Sequence, residues 1–93
     1  DRAGSEIVQR VGLAPGMCDV ENVKQALAPN SIFTLATGPN KLFCYAQQGP
    51  AGMFFLLELV LDPASQQLAM TLRTDRPGPG ADTVAMIVLA CLT

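Results

Sequence analysis

Three cysteines, Cys18, Cys44 and Cys91, and three serines, Ser5, Ser31 and Ser65, are the side chains here best suited to nucleophilic attack. A serine or thiol nucleophile needs a base in hydrogen-bond reach, and the chain contains no histidine, the commonest base and metal ligand near neutral pH. The serines sit in turn-like contexts without nucleophile-elbow surroundings, so they read as turn and cap residues. Cys44 has no identifiable base or cation beside it and reads as a packed sheet residue rather than a reactive thiol. The cysteines lack the paired spacing of a metal site, and the close acidic pair Asp19 and Glu21 fits the start of a helix. Gly78-Pro79-Gly80 has the look of a phosphate loop, but it lacks the Lys-Ser/Thr ending, and Pro77 and Pro79 remove backbone donors. The expectation is a non-enzymatic chain with no cofactor and no metal.

A different kind of chemistry is carried by Met53-Phe54-Phe55-Leu56-Leu57-Glu58-Leu59-Val60-Leu61. Strand alternation divides it into Phe55, Leu57, Leu59 and Leu61 on one side and Phe54, Leu56, Glu58 and Val60 on the other. The wholly apolar set suits a core. The set with the charge then faces water, leaving Phe54 and Leu56 exposed beside Glu58, and such a patch marks an interaction surface or the footing of a neighbouring domain.

The elements that must position this strand follow from turn residues and periodicity. Residues 6–13 read as an edge strand ending at Ala14-Pro15-Gly16, and Asp19 can cap a helix over 20–28 whose Val20, Val23 and Leu27 share a face. Strands are expected at 32–36, 42–46, 53–61 and 68–74, separated by Thr37-Gly38-Pro39-Asn40, Gln48-Gly49-Pro50-Ala51-Gly52 and Asp62-Pro63-Ala64-Ser65-Gln66-Gln67. In the first of these, Phe33 and Leu35 lie on one side, and Ile32, Thr34 and Ala36 on the other. In the second, Leu42, Cys44 and Ala46 form the plausible inward set, with Phe43 and Tyr45 toward solvent. In the last, Thr71 and Arg73 face outward. After the loop Arg76 to Gly80, Asp82 can cap a closing helix from Thr83 to about Leu92, with Val84, Ile87, Val88 and Cys91 at helical spacing. The order β-α-β-β-β-β-α describes an α+β fold: an antiparallel sheet of four to five strands with two helices on one face and the other face open.

Composition narrows the partners. Ninety-three residues fit a single domain, 1–93, and 49% hydrophobic against 15% charged residues leaves some apolar surface uncovered. A net charge of -2 with six scattered Lys and Arg offers no stripe for nucleic acid and no cluster for anionic lipid. The apolar run Val84 to Leu92 is far shorter than the roughly 20 residues of a membrane span, which argues against direct membrane insertion. An odd number of dispersed cysteines suggests a reducing, cytosolic setting. The start without methionine suggests the C-terminal part of a longer chain.

Glu21-Asn22-Val23-Lys24-Gln25-Ala26-Leu27, Asn30-Ser31-Ile32-Phe33-Thr34-Leu35-Ala36, and Gly52-Met53-Phe54-Phe55-Leu56-Leu57-Glu58-Leu59 followed by Asp62-Pro63 resemble, in order and spacing, the C-terminal platform subdomain of beta-adaptin appendages. These appendages, or ears, belong to the heterotetrameric adaptors of vesicle coats. The resemblance covers most of the chain and implies a platform, TATA-binding-protein-like, that normally follows a β-sandwich. It also implies docking of short apolar motifs from accessory trafficking proteins on the open sheet face. Contact with other adaptor subunits would run through the parent chain, at trans-Golgi or endosomal membranes.

Within that resemblance, Ala36 matches a small residue of the site, Phe54 a tryptophan and Glu58 a binding glutamate. An ungapped match sets Cys44 at the binding tyrosine, whereas a one-residue hairpin shift, favoured by alternation, sets Tyr45 there. The chain has no tryptophan, and the family's nearby basic residue has no direct match, Lys41 being the substitute available. A divergent beta-type adaptin of the non-clathrin fourth adaptor complex fits better than the clathrin-linked ones. The expected peptide site is Ile32, Thr34 and Ala36 as a floor, Tyr45, Phe54 and Leu56 as apolar contacts, and Glu58 and Arg73 for orientation. The alternative is a structural subdomain whose apolar sheet face packs on a neighbouring domain.

Overall fold

The computed structural model describes residues 5–48, 53–74 and 79–93. The turn expected after Gln48 (residues 49–52) and most of the loop expected over 76–80 (residues 75–78 being undescribed) lie outside the described residues.

Strand β1 spans Ser5–Gly12, and after the Ala14–Met17 turn Asp19 caps helix α1, Val20–Leu27. Its Oδ1 accepts from the Glu21 and Asn22 amides at 2.9 and 3.1 Å, satisfying donors that the first helical turn leaves over. The helix ends one residue earlier than its apolar spacing suggests, in a 3-10 turn over Ala28–Asn30. Ser31 then takes a left-handed backbone (φ 62°) that turns the chain into the sheet.

Strands β2 (Ile32–Gly38), β3 (Lys41–Gln48), β4 (Met53–Asp62) and β5 (Gln67–Thr74) follow as successive hairpins. Between β2 and β3 only Pro39 and Asn40 lie outside the strands. Proline presets φ and Asn40 tolerates the left-handed φ of 55° that a tight connection demands. The Asn40 carbonyl also accepts from the Leu61 amide at 2.8 Å, tying this turn to β4. The five strands are antiparallel in the order β1-β5-β4-β3-β2, so the first strand is an edge, as its imperfect alternation implied.

Helix α2 runs over Pro79–Leu92, four residues longer at its start than an Asp82 cap would allow; Asp82 instead lies in the first turn. Proline is tolerated at the first helical position because its missing N–H would be unbonded there anyway, and the acidic side chain still complements the helix dipole.

Both helices cover one face of the sheet. Val23 and Leu27 from α1, and Val84, Val88 and Leu92 from α2, are fully buried against Leu42, Phe55, Leu57, Leu59, Met70 and Leu72. Each such side chain contributes about 1.5–3 kcal/mol on leaving water, and this layer is where the stability of the domain resides. The alternate residues of the same strands point away from the helices. The fold is thus the expected α+β one, with five strands.

Candidate functional site

The open face is set by register. One row across the sheet runs Phe33, Tyr45, Leu56, Arg73, Glu6, and the next runs Ala36, Phe43, Glu58, Thr71, Val8. Between these rows β2 bulges: Thr34 pairs with Cys44 and Ala36 with Phe43, so Leu35 is an extra residue opposite no partner of its own. The bulge resets the alternation. Ahead of it Ile32 and Thr34 point to the helices and Phe33 to the open side; beyond it Ala36 is on the open side as well.

Phe33, Leu35, Phe43, Phe54 and Leu56 are all 42–61% exposed on this face. Single exposed apolar residues are ordinary, but a contiguous group of five on one sheet face is not. Leu35, Phe43 and Leu56 line an open groove of about 260 Å³ whose remaining lining includes Glu58, Thr71 and Arg73. In the row of Leu56 the Phe33 and Tyr45 rings pair, with centroids 5.7 Å apart and planes tilted by 43°. The charges are paired. Lys41 Nζ lies 3.5 Å from Glu58 Oε2 and 5.6 Å from the centre of the Phe43 ring, and Arg73 Nε donates to Glu6 Oε2 at 2.9 Å.

Six of the eight expected site residues come together on this face: Ala36, Tyr45, Phe54, Leu56, Glu58 and Arg73. Two do not. Ile32 is 1% exposed within the core, opposite Ala46, and Thr34 sits beside Cys44 with its hydroxyl 3.8 Å from the thiol. Neither lines the groove. Unbroken alternation had grouped them with Ala36; the bulge separates them. The bulge brings Ala36 onto the same face as Phe33 and Leu35, which simple alternation set opposite it. Phe43 lines the groove as its outward reading implied, and Lys41 approaches it through the Pro39–Asn40 turn.

Tyr45 rather than Cys44 faces the open side, because Leu42, Cys44 and Ala46 are all buried. Burial pushes the Cys44 thiol above its ordinary value, outweighing the opposing hydrogen bond from Thr34. The thiolate a nucleophile needs is therefore disfavoured. Among the described residues no group of three or more His, Cys, Asp or Glu is placed to hold a metal ion.

A five-stranded antiparallel platform, helices on one face and an apolar groove on the other, is the architecture that the resemblance implied. The family model for the beta2-adaptin appendage, C-terminal sub-domain, matches residues 5–92. The chain belongs to this family. No curated protein matches it. Appendage subdomains are protein-interaction modules of cytoplasmic coat adaptors in vesicle trafficking, not enzymes, and the match takes in every element of this fold from β1 to α2. No described helix is long and apolar enough to cross a membrane.

Proposed function

We propose that the open sheet face of this appendage subdomain docks short apolar motifs of accessory trafficking proteins, serving an adaptor complex on trans-Golgi or endosomal membranes. The observation that carries this reading is that Phe33, Leu35, Phe43, Phe54 and Leu56 are exposed on the face the helices leave open, with Leu35, Phe43 and Leu56 lining one groove there. Tyr45, Phe54 and Leu56 supply apolar contact, Leu35 and Phe43 wall the groove, Ala36 leaves room beside them, and Glu58 and Arg73 orient the ligand through hydrogen bonds to its uncharged polar groups. A groove this small supports an affinity around micromolar, about -8 kcal/mol, which becomes useful when several motifs engage together.

The test is an NMR titration of the labelled chain with peptides from trafficking proteins. Shifts are expected on β2, β3 and β4, and Tyr45→Ala or Phe54→Ala should abolish them while the spectrum stays folded. Shifts confined to the helices, or binding unchanged in both variants, overturns the reading. Slowed amide exchange across β2–β4 in a protein that joins this chain to a neighbouring domain, relative to this chain alone, would favour burial of the face by that domain.

A further inference from the structure

The charged groups that line the groove are, among the described residues, Glu58 and Arg73, and each already has a partner from outside the lining. Lys41 reaches Glu58 from the first position of β3, beside the Pro39–Asn40 turn, while its ammonium lies 5.6 Å from the centre of the Phe43 ring. Glu6 reaches Arg73 from the facing position of β1, where the register sets the two directly opposite. The groove therefore presents apolar walls and two charges that are neutralised before any ligand arrives. A ligand carrying its own charge must displace an intramolecular partner held at high effective concentration, whereas an uncharged one displaces only water.

We propose that Lys41 and Glu6 are specificity-determining residues that restrict this groove to uncharged apolar segments, by holding Glu58 and Arg73 in ion pairs. The inference rests on the docking reading above and deepens it by naming the ligand's charge. Lys41 excludes ligands that would offer a basic residue to Glu58, and Glu6 excludes ligands that would offer a carboxylate to Arg73. Removal of either partner should open one charge, and only that charge, to the ligand.

The experiment pans a phage-displayed library of random dodecapeptides on the wild-type chain, on K41M and on E6Q. Methionine keeps an unbranched apolar stem at position 41, and both substitutions lie outside the groove lining. Wild type is expected to select apolar sequences depleted of all charged residues, K41M to enrich Arg and Lys, and E6Q to enrich Asp and Glu. One selected neutral peptide, resynthesised with a single Arg or Asp, is then measured by fluorescence polarisation. The Arg form should bind K41M roughly three- to fivefold more tightly than wild type, and the Asp form should show the same gain on E6Q. The same charge preference in all three proteins overturns the proposal while leaving the docking reading intact. Selected peptides that bind a folded L56D variant as well as wild type overturn the docking reading, and this proposal with it.

Discussion

The ring of Phe33 rests against that of Tyr45 across the β2–β3 ladder, 5.7 Å between centroids, on the face that the helices do not cover. Tilted aromatic pairs of this kind are worth about 0.5–1.5 kcal/mol beyond the area they bury, with half-exposed ones at the lower end. Phe33→Ala and Tyr45→Ala should therefore each destabilise the chain mildly, and the double variant by less than their sum. A double-mutant cycle from urea unfolding should give a coupling of about 0.5 kcal/mol; strict additivity would mean that the rings do not support each other.

Leu35 offers a cleaner separation of fold from site. Thr34 already pairs with Cys44 and Ala36 with Phe43, so deletion of Leu35 should close the bulge into a regular ladder without moving the Ile32–Ala46 pair. Stability and amide protection of β3 and β4 should be nearly unchanged, while apolar-peptide affinity falls about tenfold for the loss of one hydrophobic wall. Unfolding on deletion would show that the bulge is needed for the sheet itself.

Asp62 ends β4, and its carboxyl titrates below the ordinary value of 3.8, chiefly through the Ser65 side-chain hydrogen bond and further through the Ala64 and Ser65 amides. A group with a depressed folded value contributes stability above its unfolded value and loses it as pH falls through the folded one. Asp62→Asn keeps one acceptor oxygen for the turn but cannot take up the proton. Its urea midpoint should fall less steeply than that of wild type as pH drops below 3.8. Parallel acid limbs would remove Asp62 from the cause.

Cys44 should behave as a core side chain toward alkylating reagents. Iodoacetamide at pH 8 is expected to modify the partly exposed Cys18 and Cys91 first, with Cys44 reacting only as fast as the sheet opens, as read by mass spectrometry of the peptides. Because burial raises its folded value above 9.0, Cys44 contributes stability below that pH and loses it as pH rises through the raised value. Cys44→Ala should accordingly flatten the alkaline limb of the stability curve. Early labelling of Cys44 would contradict its burial.

Much of this was legible from residue order. In β4 the two alternating sets differ in kind, one wholly apolar and one carrying Glu58, so their assignment to core and surface needed no structure, and β5 and β3 divide in the same way. In β2 both sets are largely apolar, Phe33 and Leu35 against Ile32, Thr34 and Ala36. Hydrophobicity therefore cannot choose between them, and a bulge makes any single alternation wrong for half the strand. That is why Ile32 and Thr34 fall out of the site and Leu35 enters it. The start of α2 escaped for a related reason, since a proline breaks a helix in most positions and is favoured in the first.

The amino-acid sequence by itself determined the element order, the apolar core set of β4 and the lack of a histidine-based site, because alternation, turn residues and composition are properties of neighbouring residues. It also carried enough ordered similarity to place the chain among the appendage subdomains. Tertiary structure alone decided which residues share the groove, that Ile32 and Thr34 lie on the other side of the sheet from it, and that Lys41 and Glu6 close on its two charges. Those relationships join residues as far apart as Glu6 and Arg73, and they exist only after strand pairing, one bulge and a two-residue turn have set the register.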